Sequence, residues 1–119
     1  MLASVVRLTV QLTPNEGKLD EFKSIAQAMT EATKAEPGTL GYEWFSSGNG
    51  QFRLVETYVD AGAVRAHFLG PVVQKMVPRL ASVCSVDGFE VYGDPGPEVG
   101  AMVVGFGAQI FTYWQGLDR

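Results

Sequence analysis

The chain has 119 residues, room for one compact domain whose core can fold without a metal or disulfide. Its formal net charge is -4, with both signs scattered and no basic block, which excludes electrostatic attraction to nucleic acid or anionic lipid as a working principle. A single cysteine, Cys84, cannot staple the fold; it points to a reducing, cytoplasmic setting and reads as a small buried residue.

The opening "MLASVVRLTVQL" has no basic start and alternates, Val6, Leu8, Val10 and Leu12 against Arg7, Thr9 and Gln11. Period two predicts a strand covered on one side, not a signal peptide. Thr13, Pro14 and Glu16 predict a helix start with a capping box. Leu19, Phe22, Ile25, Ala26 and Met29 then form the apolar stripe of an amphipathic helix, which Pro37-Gly38 ends. "LGYEWFSS" and "QFRLVETYV" flank Gly48-Asn49-Gly50, a hairpin signal. Asp60 is placed to cap a short helix over 61–69. Gly70-Pro71 break it and open another, with Val73, Met76, Val77 and Leu80 on one face and Pro78 bending or stopping it. "GFEVYG" predicts a fourth strand. Beyond Asp94-Pro95-Gly96-Pro97 the tail predicts a helix over 98–106 and a strand over 109–114. "AMVVGFGAQIF" is about half the length a bilayer requires, so no membrane partner is expected.

The order β-α-β-β-α-β predicts an α+β, ferredoxin-like βαββαβ fold with an antiparallel sheet. A single domain over 1–119 is expected, with its core at 5–92 and a C-terminal extension at 93–119. Strand parity turns Val6, Leu8, Val10, Leu12, Tyr42, Trp44, Phe52, Leu54, Glu56, Tyr58, Phe89 and Val91 toward the helices. The other face mixes Phe45, Val55, Val59 and Tyr92 with Arg7, Glu43, Arg53 and Glu90. It is too apolar for water and too polar for a dry core, so a second copy is expected to cover it as a homodimer.

Glu56 is the anomaly, a carboxylate at a core-facing strand position that must find a partner. His67, the only histidine, returns over the same side of the sheet one helix later. Histidine is the residue type suited to acid–base work at neutral pH. Tyr42, Trp44, Tyr58 and Phe68 would line a pocket beside the pair. Two readings fit: an acid–base site, or a carboxylate that only holds a Tyr hydroxyl or backbone amide beside a packed histidine. One histidine and one cysteine make no usual zinc site, and "GNG" in a hairpin is no dinucleotide loop, so neither metal nor cofactor is expected.

"EPGTLGYEWF", "FRLVETYVDAGAVRAHF" and "GPVVQKMVPRL", in that order, resemble the antibiotic biosynthesis monooxygenase domain family over residues 5–92. The Glu-Pro-Gly turn at 36–38 and the series Glu56, Asp60, Ala63, His67 are the most specific part. The resemblance implies a dimeric α+β barrel and oxygenation of a quinol or polycyclic phenol-like aromatic by molecular oxygen, without metal or flavin. In that reading His67 is the base, Glu56 orients it, and Tyr42, Trp44, Tyr58 and Phe68 hold the ring. Haem-degrading relatives carry an asparagine on the first strand and a histidine on the second helical segment. Arg7, Gln11 and the segment around Met76 depart from that pattern. The alternatives are a non-catalytic small-molecule-binding or stress-associated dimer, and an isomerase or lyase on the same fold. An RNA-binding ferredoxin-like domain would need a basic, aromatic sheet face, which this acidic chain lacks.

Overall fold

The computed structural model describes residues 2–119. After a 3-10 turn at Leu2–Ser4 come β1 (Val6–Pro14), α1 (Leu19–Thr33), β2 (Thr39–Ser46), β3 (Phe52–Tyr58) and α2 (Ala61–Leu69). A π-helical turn (Val72–Met76) runs into α3 (Val77–Ala81), followed by β4 (Cys84–Tyr92), α4 (Pro97–Gly105) and β5 (Gln109–Phe111). The sheet order is β2-β3-β1-β4-β5. The first four strands pair antiparallel in the ferredoxin-like arrangement, and β5 joins parallel to β4. Among the described residues no helix is long and apolar enough to cross a membrane.

Parity assigned the faces correctly. Val6, Leu8, Leu12, Leu54, Tyr58 and Val91 are buried on the helix side, and Glu56 is buried among them at 6% exposure. On the opposite face Arg7, Glu43, Phe45 and Val59 are exposed. The core has two parts. Phe22, Ile25 and Met29 of α1 pack on Leu12 and Leu54, while Val64 and Phe68 of α2 with Val99 and Val103 of α4 pack on Val6, Leu8 and Tyr58.

Local expectations failed in four places. The capping box does not form: β1 continues through Pro14, which pairs with Cys84, and the Thr13 hydroxyl donates to Asp87. A turn with Gly17 at φ 76° then delivers α1, which starts at Leu19 without a side-chain cap. Strand pairing thus outcompetes a local cap. Secondly, β4 begins at Cys84, not Gly88. A register shift opposite Gln11 and Leu12 leaves Asp87 as an extra residue, so Val86 and Phe89 share a face although three positions apart. Thirdly, the segment after Gly70 does not keep one α-helical face. The π turn shifts the angular period, so Val72 and Leu80 are buried while Val77 is 36% exposed. Finally, β5 stops at Phe111 instead of Trp114, whose side chain is exposed.

Candidate active site

Glu56 stands in the middle of β3, paired with Leu8 of β1 and Tyr42 of β2. Both neighbours are strands, and its side chain projects under the helix layer, 6% exposed. Its Oε1 accepts a hydrogen bond from the Tyr58 hydroxyl, two residues along the same face. Asp60, two residues past the end of β3, caps α2, accepting from the Ala63 amide at 2.9 Å. One turn beyond Ala63, α2 carries His67 over the sheet, 1% exposed. His67 Nε2 lies 3.7 Å from Glu56 Oε1. The imidazole is boxed by rings: Tyr58 at 5.4 Å, Tyr42 at 5.5 Å and Phe68 at 6.0 Å between centroids.

His67 has a second carboxylate partner. The turn at Glu36-Pro37-Gly38 packs on the first turn of α2 so closely that a Cβ on Gly38 would sit 2.6 Å from that of Ala63. The Gly38 carbonyl accepts from the Val59 amide at 2.9 Å. Clamped there, Glu36 places Oε1 2.7 Å from His67 Nδ1 and accepts from the Thr39 hydroxyl at 3.0 Å on the same oxygen. Sequence reasoning picked out the Glu-Pro-Gly turn as a family mark but missed Glu36 as a site residue. The available signal was a carboxylate beside a glycine needed for close approach.

A cavity of about 490 Å³ opens at this group. Glu56, His67, Tyr42 and Phe68 line one end, and aliphatic side chains from Val10, Leu54, Val73 and Leu80 line much of the rest. Phe106, just after α4, also borders it. Burial, above all, raises the Glu56 carboxyl above the ordinary carboxylate range; His67 and the Tyr58 hydrogen bond oppose this, and Glu36 adds to it. Burial first, and then the charge of Glu56, push the Tyr42 and Tyr58 hydroxyls far up, so both stay protonated. The cavity end therefore offers hydrogen-bond donors, a carboxyl inclined to hold a proton, and an imidazole.

Four of the six residues expected at the site line this cavity together. Tyr58 supports Glu56 from behind instead of facing the space. Trp44 points elsewhere: its Nε1 donates to Thr30 at 2.8 Å and its ring meets Phe22 edge-on at 6.0 Å. Among the described residues no group of three or more His, Cys, Asp or Glu side chains is arranged to hold a metal ion.

The sequence matches the family model for antibiotic biosynthesis monooxygenase over residues 5–79, more than half of the chain. The chain belongs to the antibiotic biosynthesis monooxygenase family. Among solved structures it is similar to MupZ from Pseudomonas fluorescens, with 21% identity, a TM-score of 0.84, and coverage of 98% of this chain and 95% of that one. It is also similar to SnoaB from Streptomyces nogalater, a cofactor-independent oxygenase, with 14% identity, a TM-score of 0.68, and coverage of 80% and 97%. Rv0793 from Mycobacterium tuberculosis gives 21% identity, a TM-score of 0.69, and coverage of 79% and 98%. At these identities the likenesses show a shared fold. The MupZ match takes in nearly the whole C-terminal extension of this family member. No curated protein matches the sequence.

Proposed function

We propose that this protein is a cofactor-independent monooxygenase acting on a quinol or polycyclic phenol-like aromatic. The observation that carries the proposal is the acid–base end of an otherwise apolar cavity, where Glu56 and His67 meet. A cavity of about 490 Å³ suits a fused-ring molecule, and its apolar lining suits flat carbon skeletons. His67 takes a proton from the bound substrate, and the resulting electron-rich anion reduces molecular oxygen directly. For an anthrone-type CH2 group the substrate gives four electrons to one oxygen molecule. One oxygen atom becomes the new ring carbonyl, and the other leaves as water. The Tyr42 hydroxyl, held protonated, is available to stabilise the developing oxyanion.

The open face of the sheet, with Phe45, Val59 and Tyr92 exposed, supports a homodimer packed through that face. The single buried thiol of Cys84 accords with a reducing, cytoplasmic location.

A second reading is favoured by the carboxyl of Glu56. A proton-holding acid beside a base also serves an isomerase or lyase, which moves protons without oxygen. Oxygen uptake and solvent deuterium exchange, measured on a panel of anthrones and hydroquinones, separate the two. The oxygenase consumes oxygen without added cofactor and places one labelled oxygen atom in the product. Deuterium exchange with no oxygen uptake across the panel would reject it in favour of proton transfer.

A further inference from the structure

We infer that Glu36, not Glu56, is the carboxylate that positions His67, holding its ring with the proton on Nδ1 and leaving Nε2 as the proton acceptor at the cavity. The assignment rests on the proposal that His67 moves a proton there, and it divides labour between the two glutamates.

The hydrogen-bond inventory at His67 carries it. Glu36 Oε1 lies 2.7 Å from Nδ1, a short charge-assisted distance. The same oxygen accepts from the Thr39 hydroxyl at 3.0 Å. A carboxylate has only lone pairs to offer, so the proton in the Nδ1 contact belongs to the ring. On the other side, Nε2 is 3.7 Å from Glu56 Oε1, beyond hydrogen-bond length. That oxygen already accepts from Tyr58. A proton on Nε2 would find a worse partner than one on Nδ1, so the neutral ring takes the Nδ1–H tautomer.

The surroundings keep this geometry from relaxing. Gly38 fits against Ala63 only because it lacks a Cβ, which locks the Glu36 turn to the helix that carries His67. Rings of Tyr42, Tyr58 and Phe68 surround the imidazole. When Nε2 accepts a proton from a substrate, Nδ1 keeps its own, and Glu36 faces the resulting imidazolium. No bond of Glu36 is made or broken, so it is a positioning residue. Glu56 is then free of orienting work and stands at the cavity as a second proton-holding group, backed by Tyr58.

The chain has one histidine, so the ring nitrogens give unambiguous signals in long-range ¹H–¹⁵N spectra of the labelled whole protein. Titrated without any substrate, the wild type should keep Nδ1 protonated throughout while Nε2 titrates. E56Q should retain that pattern. E36A should move the neutral-ring proton to Nε2, and E36Q, whose amide oxygen can still accept, should restore it to Nδ1. Titration of Nδ1 in the wild type would overturn the assignment. So would two nitrogens that both stay protonated up to unfolding, or a wild-type pattern in folded E36A. The wild-type spectrum suffices by itself, so a poorly folded E36A leaves the test intact. Because no substrate is present, failure of oxygen uptake would sink the proposed reaction and leave this assignment standing.

Discussion

Tyr42 and Trp44 leave β2 on the same face, two residues apart, and reach opposite kinds of surroundings. Trp44 turns toward α1, where its one polar atom is satisfied by Thr30, its ring packs against Phe22, and an open groove of about 740 Å³ runs along the helix. Tyr42 enters a more enclosed region, where Glu56 and His67 border a cavity of about 490 Å³ and Glu36 holds the far side of the imidazole. Both regions pair polar atoms against helices of the same layer. They differ in the kind of space beside those atoms. Beside Trp44 it is a groove open to solvent, and its titratable side chains, Lys23, Glu31 and Lys34, are exposed. Around Tyr42 it is more enclosed, with the buried titratable groups Glu56 and His67 at its edge, an arrangement expected of a binding or reaction site.

The largest effect is expected on the Trp44 side. Phe22 is 1% exposed and packs against Trp44 and Phe52. F22A should cost about 3–5 kcal/mol of unfolding free energy by urea titration. Small-molecule binding at the cavity should persist at temperatures where the variant stays folded. Loss of binding in the folded variant would mean that the two regions are not separate.

A smaller effect is expected on the Tyr42 side. Burial raises the Glu56 carboxyl in the folded state. Such a group contributes stability that is complete below its unfolded pKa. That contribution is lost as pH rises, because the unfolded chain releases the proton first and the folded chain last. Wild-type stability should therefore decline from roughly pH 5 upward relative to E56Q, which has no proton to release. Parallel urea midpoints for the two proteins across that range would show that Glu56 is not held protonated.

The sequence carried most of the fold because alternation and amphipathic spacing are local. Parity put Glu56 among Leu8, Leu54 and Tyr58, and Asp60 marked the start of the helix that carries His67. Failures came where pairing overruled local signals. The Thr13 cap lost to β1–β4 pairing, and the extra residue at Asp87 hid the first half of β4. The site was legible in its two central residues and not in its third. Glu36 and His67 are 31 positions apart and meet only because Gly38 lets a turn rest on α2. Trp44 was misjudged because parity gives a face and not a direction along it. Its indole reached toward α1, where Thr30 offered an acceptor.

If the Glu56–His67 end of the cavity does the chemistry and the Trp44 region only supports it, the two regions must respond differently to mutation. Oxygen uptake by H67A and W44F, compared under identical conditions with a substrate of the wild type, tests this most directly. H67A should fold and lose at least about tenfold in turnover, since general-base help is typically worth ~10²–10⁴. W44F should lose about 1 kcal/mol of stability with its hydrogen bond to Thr30, and keep its turnover. Undiminished turnover in folded H67A, or an equal loss in both variants, would contradict that division of roles.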